Sequence, residues 1–484
     1  MASMLRPQRC FLAFLVSTLL RQTVALTAKP IRKVAVIGSG IAGLAVAHAL
    51  GDVDVCLFEA RPKPDFVTGS GVQVNGGLVA LGKINPDLQR KVWEAGVPTE
   101  AVRSRTQSWS GDKPYDALLD LELSKTIQKA GLSDSLLRPD GKAWWLGILR
   151  GTLQQVLWEA LPKAKRPQLG KSLIDIQASP NGGALCVFAD GSTAGPFDLI
   201  VGADGIKSAC KDYVNNGRVS KDPSSRALYS GLRIRYAIDK GRRSDPVLPG
   251  SITQYFGDGC LAVQGVYGAG KGKPQNKCIF LVSLDEDYFG PFKKPKRADN
   301  TLGENVEWSQ RSIDIRQSML DDVAKTGIPS VDIQPTLERA ESFFELGVYF
   351  HNPFNGWSRE IPQSEGSYTV LCGDAAHALS PFLGQGANQA IQDAYCLASR
   401  IQEYNALVQV GDDEIQLGAF LKDYEKTRWP AIFQIFWKSG FLGYLETGGE
   451  NGLYARFRDV FFKTMGLVGV AERVLLSAAV PKLE

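Results

Sequence analysis

The sequence predicts an α/β fold in which a parallel sheet is interrupted by an antiparallel one and followed by helices. Three observations predict it. Lys33–Ile37 (KVAVI) is a short β-rich run that opens directly into Gly38-Ser39-Gly40-Ile41-Ala42-Gly43 and a helical stretch. Asp198–Val201 and Tyr368–Leu371 are two more short apolar runs, each followed by a turn bearing glycine and aspartate. Between those two lie four segments, Ala227–Tyr236, Ser251–Phe256, Cys260–Val266 and Cys278–Ser283, that read as strands separated by turn signals.

The 484 residues suffice for two to four domains at roughly 100–200 residues each. The 44% hydrophobic and 22% charged residues are the balance of a folded enzyme. A net charge of +4 is too weak an excess to argue for nucleic acid, so no nucleic-acid partner is expected. No run approaches the roughly 20 apolar residues that cross a bilayer. Three histidines leave little from which to build a histidine metal site, and no metal is expected. The eight cysteines come no closer than Cys260 and Cys278, so there is neither a dithiol pair nor a zinc ribbon.

Residues 1–28 stand apart from the fold. Arg6 and Arg9 precede an apolar run, Cys10–Leu20, and the small-residue site Thr23-Val24-Ala25, and the first acid is Asp52. Such a pattern describes a cleaved targeting segment leading to the secretory pathway or a plastid. A retained membrane anchor and a plain extension remain alternatives.

The first motif has a reason at each position. Gly38 permits a tight turn, Gly40 lets backbone approach a pyrophosphate, and Gly43 lets helix and strand pack closely. The helix start at Ile41 and Ala42 directs free N–H groups and a positive dipole end at phosphate. A second apolar run, Val53–Phe58, ends at Glu59, 21 residues after Gly38, where a carboxylate accepts ribose hydroxyls. Arg61 lies just beyond it. These features predict a dinucleotide site without choosing between NAD and FAD.

The later motifs choose. Gly202-Ala203-Asp204-Gly205 follows one strand. Cys372-Gly373-Asp374-Ala375-Ala376-His377 and then Pro381-Phe382-Leu383-Gly384-Gln385-Gly386-Ala387-Asn388 follow another, ahead of the helical run Gln389–Tyr404. With these three motifs in this order the chain resembles the single-component FAD-dependent monooxygenases of the aromatic-hydroxylase type. The resemblance extends from about Arg32 to Lys463. It implies FAD as cofactor, NAD(P)H as reductant and O2 as co-substrate, with one oxygen atom delivered through a flavin C4a-hydroperoxide to an apolar or aromatic small molecule. By this resemblance Gly38, Gly40, Gly43 and Glu59 hold the ADP half of FAD. Arg150, opening a helix, reaches the pyrophosphate region. Asp204 and Gly205 serve FAD and nicotinamide handling. Gly373 and Asp374 hold the ribityl chain, and Pro381, Gly384, Gly386, Ala387 and Asn388 face the isoalloxazine ring. The targeting segment together with Gly384-Gln385-Gly386 also resembles the plastid zeaxanthin-epoxidase-like members. An FAD oxidoreductase of isoprenoids without oxygen transfer, and a non-catalytic flavin-binding protein, are the alternatives.

The implied architecture is a Rossmann-like FAD-binding domain with an inserted antiparallel-sheet substrate domain and C-terminal helices. The expected division is 1–28 targeting, 29–225 FAD-binding (first part), 226–365 substrate sheet, 366–410 FAD-binding (last part) and 411–484 helical. Residues 310–326 are expected as a helix covering the substrate pocket. Tyr229, Tyr255, Trp144, Trp145 and Phe382 are candidates to line it, and no catalytic acid–base pair is identified. His377 reads better as a packing residue than as a base. Lys211 replaces the arginine usual at the end of the family's middle motif, keeping the charge but not the bidentate fork. Gly265–Lys271 resembles a phosphate loop but has Gly272 at the Ser/Thr position and reads as a hairpin turn. Nine aromatic residues between Pro430 and Phe462 are either helix-packing faces or a peripheral contact with a membrane.

Overall fold

The computed structural model describes residues 28–67, 69–220, 227–284, 308–412, 414–447 and 452–484. Of residues 1–28, expected as a targeting segment, 1–27 lie outside the described residues. Five strands form the first sheet, in the order Ser358–Glu360, Tyr368–Leu371, Leu199–Gly202, Lys33–Ile37 and Asp54–Phe58. All neighbours run parallel except the antiparallel outer strand Ser358–Glu360. The central strands are nearly continuous apolar runs because both faces are covered. Helices Ile41–Ala49 and Gly386–Gln409 pack on each other. Elsewhere Phe58 meets Phe188 of a three-stranded sheet, ring centroids 4.8 Å apart.

Register then places the site. Ile37 pairs with Gly202 and with Phe58, and Gly202 pairs with Leu371. The chain therefore leaves all four strands at one level, at Gly38, Glu59, Ala203 and Cys372. In an open parallel sheet that carboxyl edge is where ligands bind.

The larger sheet has nine strands. Its path runs Ser342–Phe350, Leu228–Asp239, Asn276–Leu284, Cys260–Tyr267, Gly250–Phe256, Val97–Thr106, Leu146–Leu149 and Gly71–Val74, with Asp116–Glu122 paired to Val97–Thr106. The four strands expected from 227–283 are all in it. Four others come from residues 71–149, which the sequence division assigns to the first FAD-binding part, so the sheet is assembled from both sides of residue 226. Gly71–Val74 and Leu146–Leu149 are only four residues each, too short for an alternation signal.

Alternation along Leu228–Asp239 gives the sheet two faces. Ala237 joins Cys260, Ile279, Leu281, Met319 and Val323 beneath helix Trp308–Lys325. Ile234, Tyr236 and Ile238 point the other way, toward the FAD-binding motifs. The expected helix over 310–326 thus exists but backs the sheet on its outer face and does not cover the pocket. Burying Met319 and Val323 against the sheet decides this. Gly265–Lys271 falls across the end of strand Cys260–Tyr267 and the hairpin into Asn276–Leu284, as the turn reading requires. The C-terminal part is helical over Leu417–Thr447, Gly452–Leu467 and Val470–Ala479, the first running through Pro430. Among the described residues no helix is long and apolar enough to cross a membrane.

Candidate functional site

A cavity of about 340 Å³ opens at the carboxyl edge of the parallel sheet. Gly38, Ser39, Gly40, Glu59, Arg61, Arg150, Asp204 and Gly205 line it. Its glycines have different causes. Gly38 has φ 100°, and a Cβ there would stand 2.4 Å from the Ala203 carbonyl oxygen. A Cβ at Gly43 would stand 1.9 Å from the Gly38 oxygen. Both are required by the protein's own packing. A Cβ at Gly40 would meet nothing within 4 Å, so a glycine there serves something other than the fold.

Glu59 organises the turn. Its Oε2 accepts from the Ser39 amide at 2.9 Å and the Ser39 hydroxyl at 2.7 Å, and its Oε1 from the Arg61 amide at 3.0 Å. The Arg61 guanidinium turns instead to Asp65, at 2.6 Å. Helix Ile41–Ala49 starts at Gly40 with no side-chain cap, and helix Gly386–Gln409 likewise has none. Two helix N-termini therefore keep unsatisfied N–H groups and a positive dipole end.

Asp204 is used differently from the expectation. Its carboxylate accepts from the Ser208 hydroxyl at 2.5 Å, the Ala209 amide at 2.7 Å and the Cys210 amide at 3.2 Å. The side chain thus holds the start of helix Ala209–Asn216, and burial raises its pKa against those bonds. What Asp204 and Gly205 present to the cavity is mainly backbone.

In the third motif Gly373 has φ 64°, and a Cβ there would lie 2.8 Å from Ala42 Cβ and 3.2 Å from Ala390 Cβ. It lets two helices converge on the strand end. Asp374 keeps solvent access, yet protein surrounds it closely enough that desolvation raises its carboxyl pKa, while His377 and Arg150 pull it back. Its Oδ1 lies 3.9 Å from the position of a Cβ on Gly386, beside the second open helix start. Gly384, at φ 61°, has nothing within 4 Å of its Cβ position.

A family profile described as FAD binding domain matches residues 357–428. The 3-amino-4-hydroxybenzoate 2-monooxygenase of Streptomyces cremeus is 28% identical over 374 residues, covering 75% of this chain and 77% of the relative. A salicylate hydroxylase of Pseudomonas putida is 27% identical over 433 residues, covering 84% and 85%. Klebsiella pneumoniae HpxO, solved with FAD and uric acid, superposes with TM-score 0.64 at 19% identity, covering 92% of this chain and 97% of that one. Over most of its length the chain is similar to single-component FAD-dependent monooxygenases of the aromatic-hydroxylase type.

The residues present fit the cofactor of this family. Gly40 and Gly384 leave open space that a Cβ would fill, two uncapped helix starts offer N–H groups to negative charge, and Arg150 makes no ion pair among the described residues. Sequence reasoning missed part of this cavity's lining. Gln154, four residues after Arg150 on the same helix, donates to the Ser39 carbonyl at 2.8 Å. Trp158 and Lys171 also line the cavity. The i, i+4, i+8 spacing from Arg150 could have found Gln154 and Trp158. Lys171 sits on a loop and gave no signal.

Asn388 departs from its expected place against the ring. Its Oδ1 accepts from the Asn75 amide at 2.7 Å and the Gly77 amide at 3.0 Å, and its Nδ2 donates to the Gln73 carbonyl at 2.8 Å. Fully buried and spent on these bonds, the side chain locks residues 73–77 to the Gly386–Gln409 helix. Pro381 and Ala387 flank Phe382 and the helix start, both with some solvent access.

On the sheet side, Phe382 is the one pocket candidate that the structure brings to the inner face. It packs between Leu118, Phe256 and Leu261 on one flank and Ile234, Val282 and Val348 on the other. Helix Leu417–Thr447 fixes it: a Cβ on Gly443 would lie 2.4 Å from the Phe382 ring, and Ser439 Oγ donates to the Ser380 carbonyl at 2.9 Å. Tyr255 is a correction, since its hydroxyl donates to Asp332 at 3.0 Å within the outer cluster under Trp308–Lys325. Trp144 stacks edge-on to Trp93, Trp145 is buried beside Leu123 and Ile127, and Tyr229 tilts on Tyr349 at the sheet edge. Tyr236, missed at the sequence level, stacks on Phe344 at 4.7 Å on the inner face.

His377 is held as a packing residue. Its Nε2 lies 2.6 Å from Asp393 Oδ2, which also accepts from the Gly373 amide at 2.9 Å, and Arg428 Nε donates to Asp393 Oδ1 at 2.8 Å. Burial alone would raise the Asp393 carboxyl, but His377 and Arg428 outweigh it and hold the pKa low. Lys211 is buried, donates to the Ala376 carbonyl at 2.7 Å and has its pKa brought down to about 8 by burial, so it ties the middle motif to the third.

Proposed function

We propose that this monooxygenase hydroxylates a small, largely apolar aromatic molecule, with NAD(P)H as reductant and O2 as oxygen source. The observation that carries the reading is the wall formed by Phe382, from the third FAD motif, with Ile234, Tyr236, Phe280 and Val282 of the sheet. FAD, when bound, supplies the activation of O2 and the oxygen transfer. The chain supplies the rest. The Gly38–Gly43 turn and the helix start at Ile41 would hold the pyrophosphate, Glu59 the adenosine ribose and Asp374 the ribityl hydroxyls. The open helix start at Gly386 offers a positive end to negative charge on the reduced ring. Apolar residues on the inner sheet face orient the substrate and exclude water, which would limit the loss of oxygen as hydrogen peroxide.

The relatives named above, whose names specify a hydroxybenzoate and a salicylate, support an aromatic ring over the alkene of a carotenoid. Purified protein loaded with FAD should oxidise NADH or NADPH faster with phenols and hydroxybenzoates. Products made under ¹⁸O₂ should gain one labelled oxygen. Stimulated oxidation with an unlabelled product would instead favour an oxidoreductase without oxygen transfer. The basic, acid-poor residues 1–28 support targeting out of the cytosol. A native chain starting near Leu26 is expected, and one starting at Met1 would contradict that.

A further inference from the structure

We propose that the C-terminal helices form a docking surface for the anionic face of a lipid bilayer. Trp437, Phe441 and Tyr444 lie at i, i+4 and i+7 on helix Leu417–Thr447, and all three are more than half exposed. Leu453, Phe457 and Val460 repeat the same spacing on helix Gly452–Leu467, and these too are more than half exposed. Such spacing puts each trio on one helix face. Phe441 and Phe461 bring the two helices together, with ring centroids 6.4 Å apart. Farther along, Leu467 is 82% and Val468 59% exposed. A continuous apolar surface of this extent on a folded enzyme marks an interaction site.

Charge selects the occupant. Among the described residues from 430 to 470, the exposed charges are Arg456 and Lys463, both basic, and Lys438 is half-buried and donates to Ser477. The acids of that stretch, Glu446 and Asp459, are buried, and Glu450 lies outside the described residues. Aromatic and aliphatic side chains rimmed by lysine and arginine are the composition of an interfacial surface. Apolar groups enter the headgroup boundary and basic ones meet anionic lipid. Trp and Tyr prefer that boundary. A second copy of the chain would bring the same basic rim against itself, which disfavours a symmetric dimer through this face.

The surface adjoins the pocket. Phe462, on the same helix, stacks on Phe256 at 4.9 Å, and Phe256 belongs to the cluster that holds Phe382. An apolar substrate dissolved in the bilayer would therefore lie near its site, a consequence that rests on the proposed function, whereas lipid binding does not.

The test uses the full chain with FAD bound. Sedimentation with vesicles of phosphatidylcholine alone and of phosphatidylcholine with 30% phosphatidylglycerol should show binding to the anionic vesicles that weakens in 0.5 M salt. The double variant F441D/F457D should retain FAD and bind at least tenfold more weakly. Brominated lipid should quench the fluorescence of the parent more than that of Trp437→Phe. Three outcomes would overturn the proposal: no vesicle binding by the parent, equal binding by the double variant (which would move the contact to the N-terminal segment), or a parent dimer that F441D/F457D converts to monomer.

Discussion

Glu446 lies on the helix that carries Gly443 and Ser439, one turn beyond Gly443, and is only 2% exposed. Its Oε2 has no hydrogen-bond partner, and burial pushes its pKa from 4.5 up to about 8, with Arg458 pulling only partly against it. The folded protein therefore keeps this proton at neutral pH while the unfolded chain releases it above about 4.5. An acid with a raised folded pKa makes stability fall as pH rises through that window, by about 1.4 kcal/mol per pH unit, and level off above about 8. Between pH 5 and pH 7 that slope amounts to about 3 kcal/mol. Glu446→Gln keeps the shape and removes the titration. Urea unfolding of parent and variant at both pH values, with saturating FAD throughout, should show the variant gaining about 3 kcal/mol on the parent between pH 5 and pH 7. A constant difference between the two proteins would refute the reasoning. A gap that moves the other way would mean that Glu446 is ionised and paired with Arg458.

Gly40→Ala should weaken FAD binding while leaving the apoprotein's thermal midpoint nearly unchanged, because a Cβ there meets no heavy atom within 4 Å; flavin absorbance of purified protein and a melting curve without FAD check both halves. Asp374→Ala should lower FAD affinity by about ten- to a hundredfold, as expected for losing a charged acceptor worth roughly 1.5–3 kcal/mol. It should also raise the hydrogen peroxide formed per NAD(P)H oxidised at saturating FAD, because a misplaced ring wastes oxygen. Arg428→Ala should destabilise the fold by about 3–5 kcal/mol, since it leaves Asp393 buried with a lost partner; a urea midpoint within 0.5 kcal/mol of the parent would contradict that.

The sequence by itself determined the parallel half of this protein. Strand, glycine turn, helix and acid follow one another within 27 residues, from Lys33 to Glu59, and local chemistry is enough to place them. The same holds for the edge at which Asp204 and Asp374 emerge, because each follows a short apolar run. What those carboxylates do was decided by tertiary structure. Asp204 is drawn onto the amides at the start of helix Ala209–Asn216, five and six residues away, while Asp374 keeps solvent access. Asn388 looked like a ring contact because of its neighbours, and is instead bound to Asn75 and Gly77, more than 300 residues earlier. The large sheet was half legible. The four strands between residues 228 and 284 announced themselves, but Val97–Thr106, Asp116–Glu122 and Ser342–Phe350 did not, and Gly71–Val74 and Leu146–Leu149 are four residues each and become strands only because partners across the sheet satisfy their backbone groups. Which face of that sheet turns toward Phe382 and the third motif, and so why Tyr236 and not Tyr255 stands there, depends on strand register and on helix Trp308–Lys325 covering the other side. Neither is a property of any local stretch of sequence.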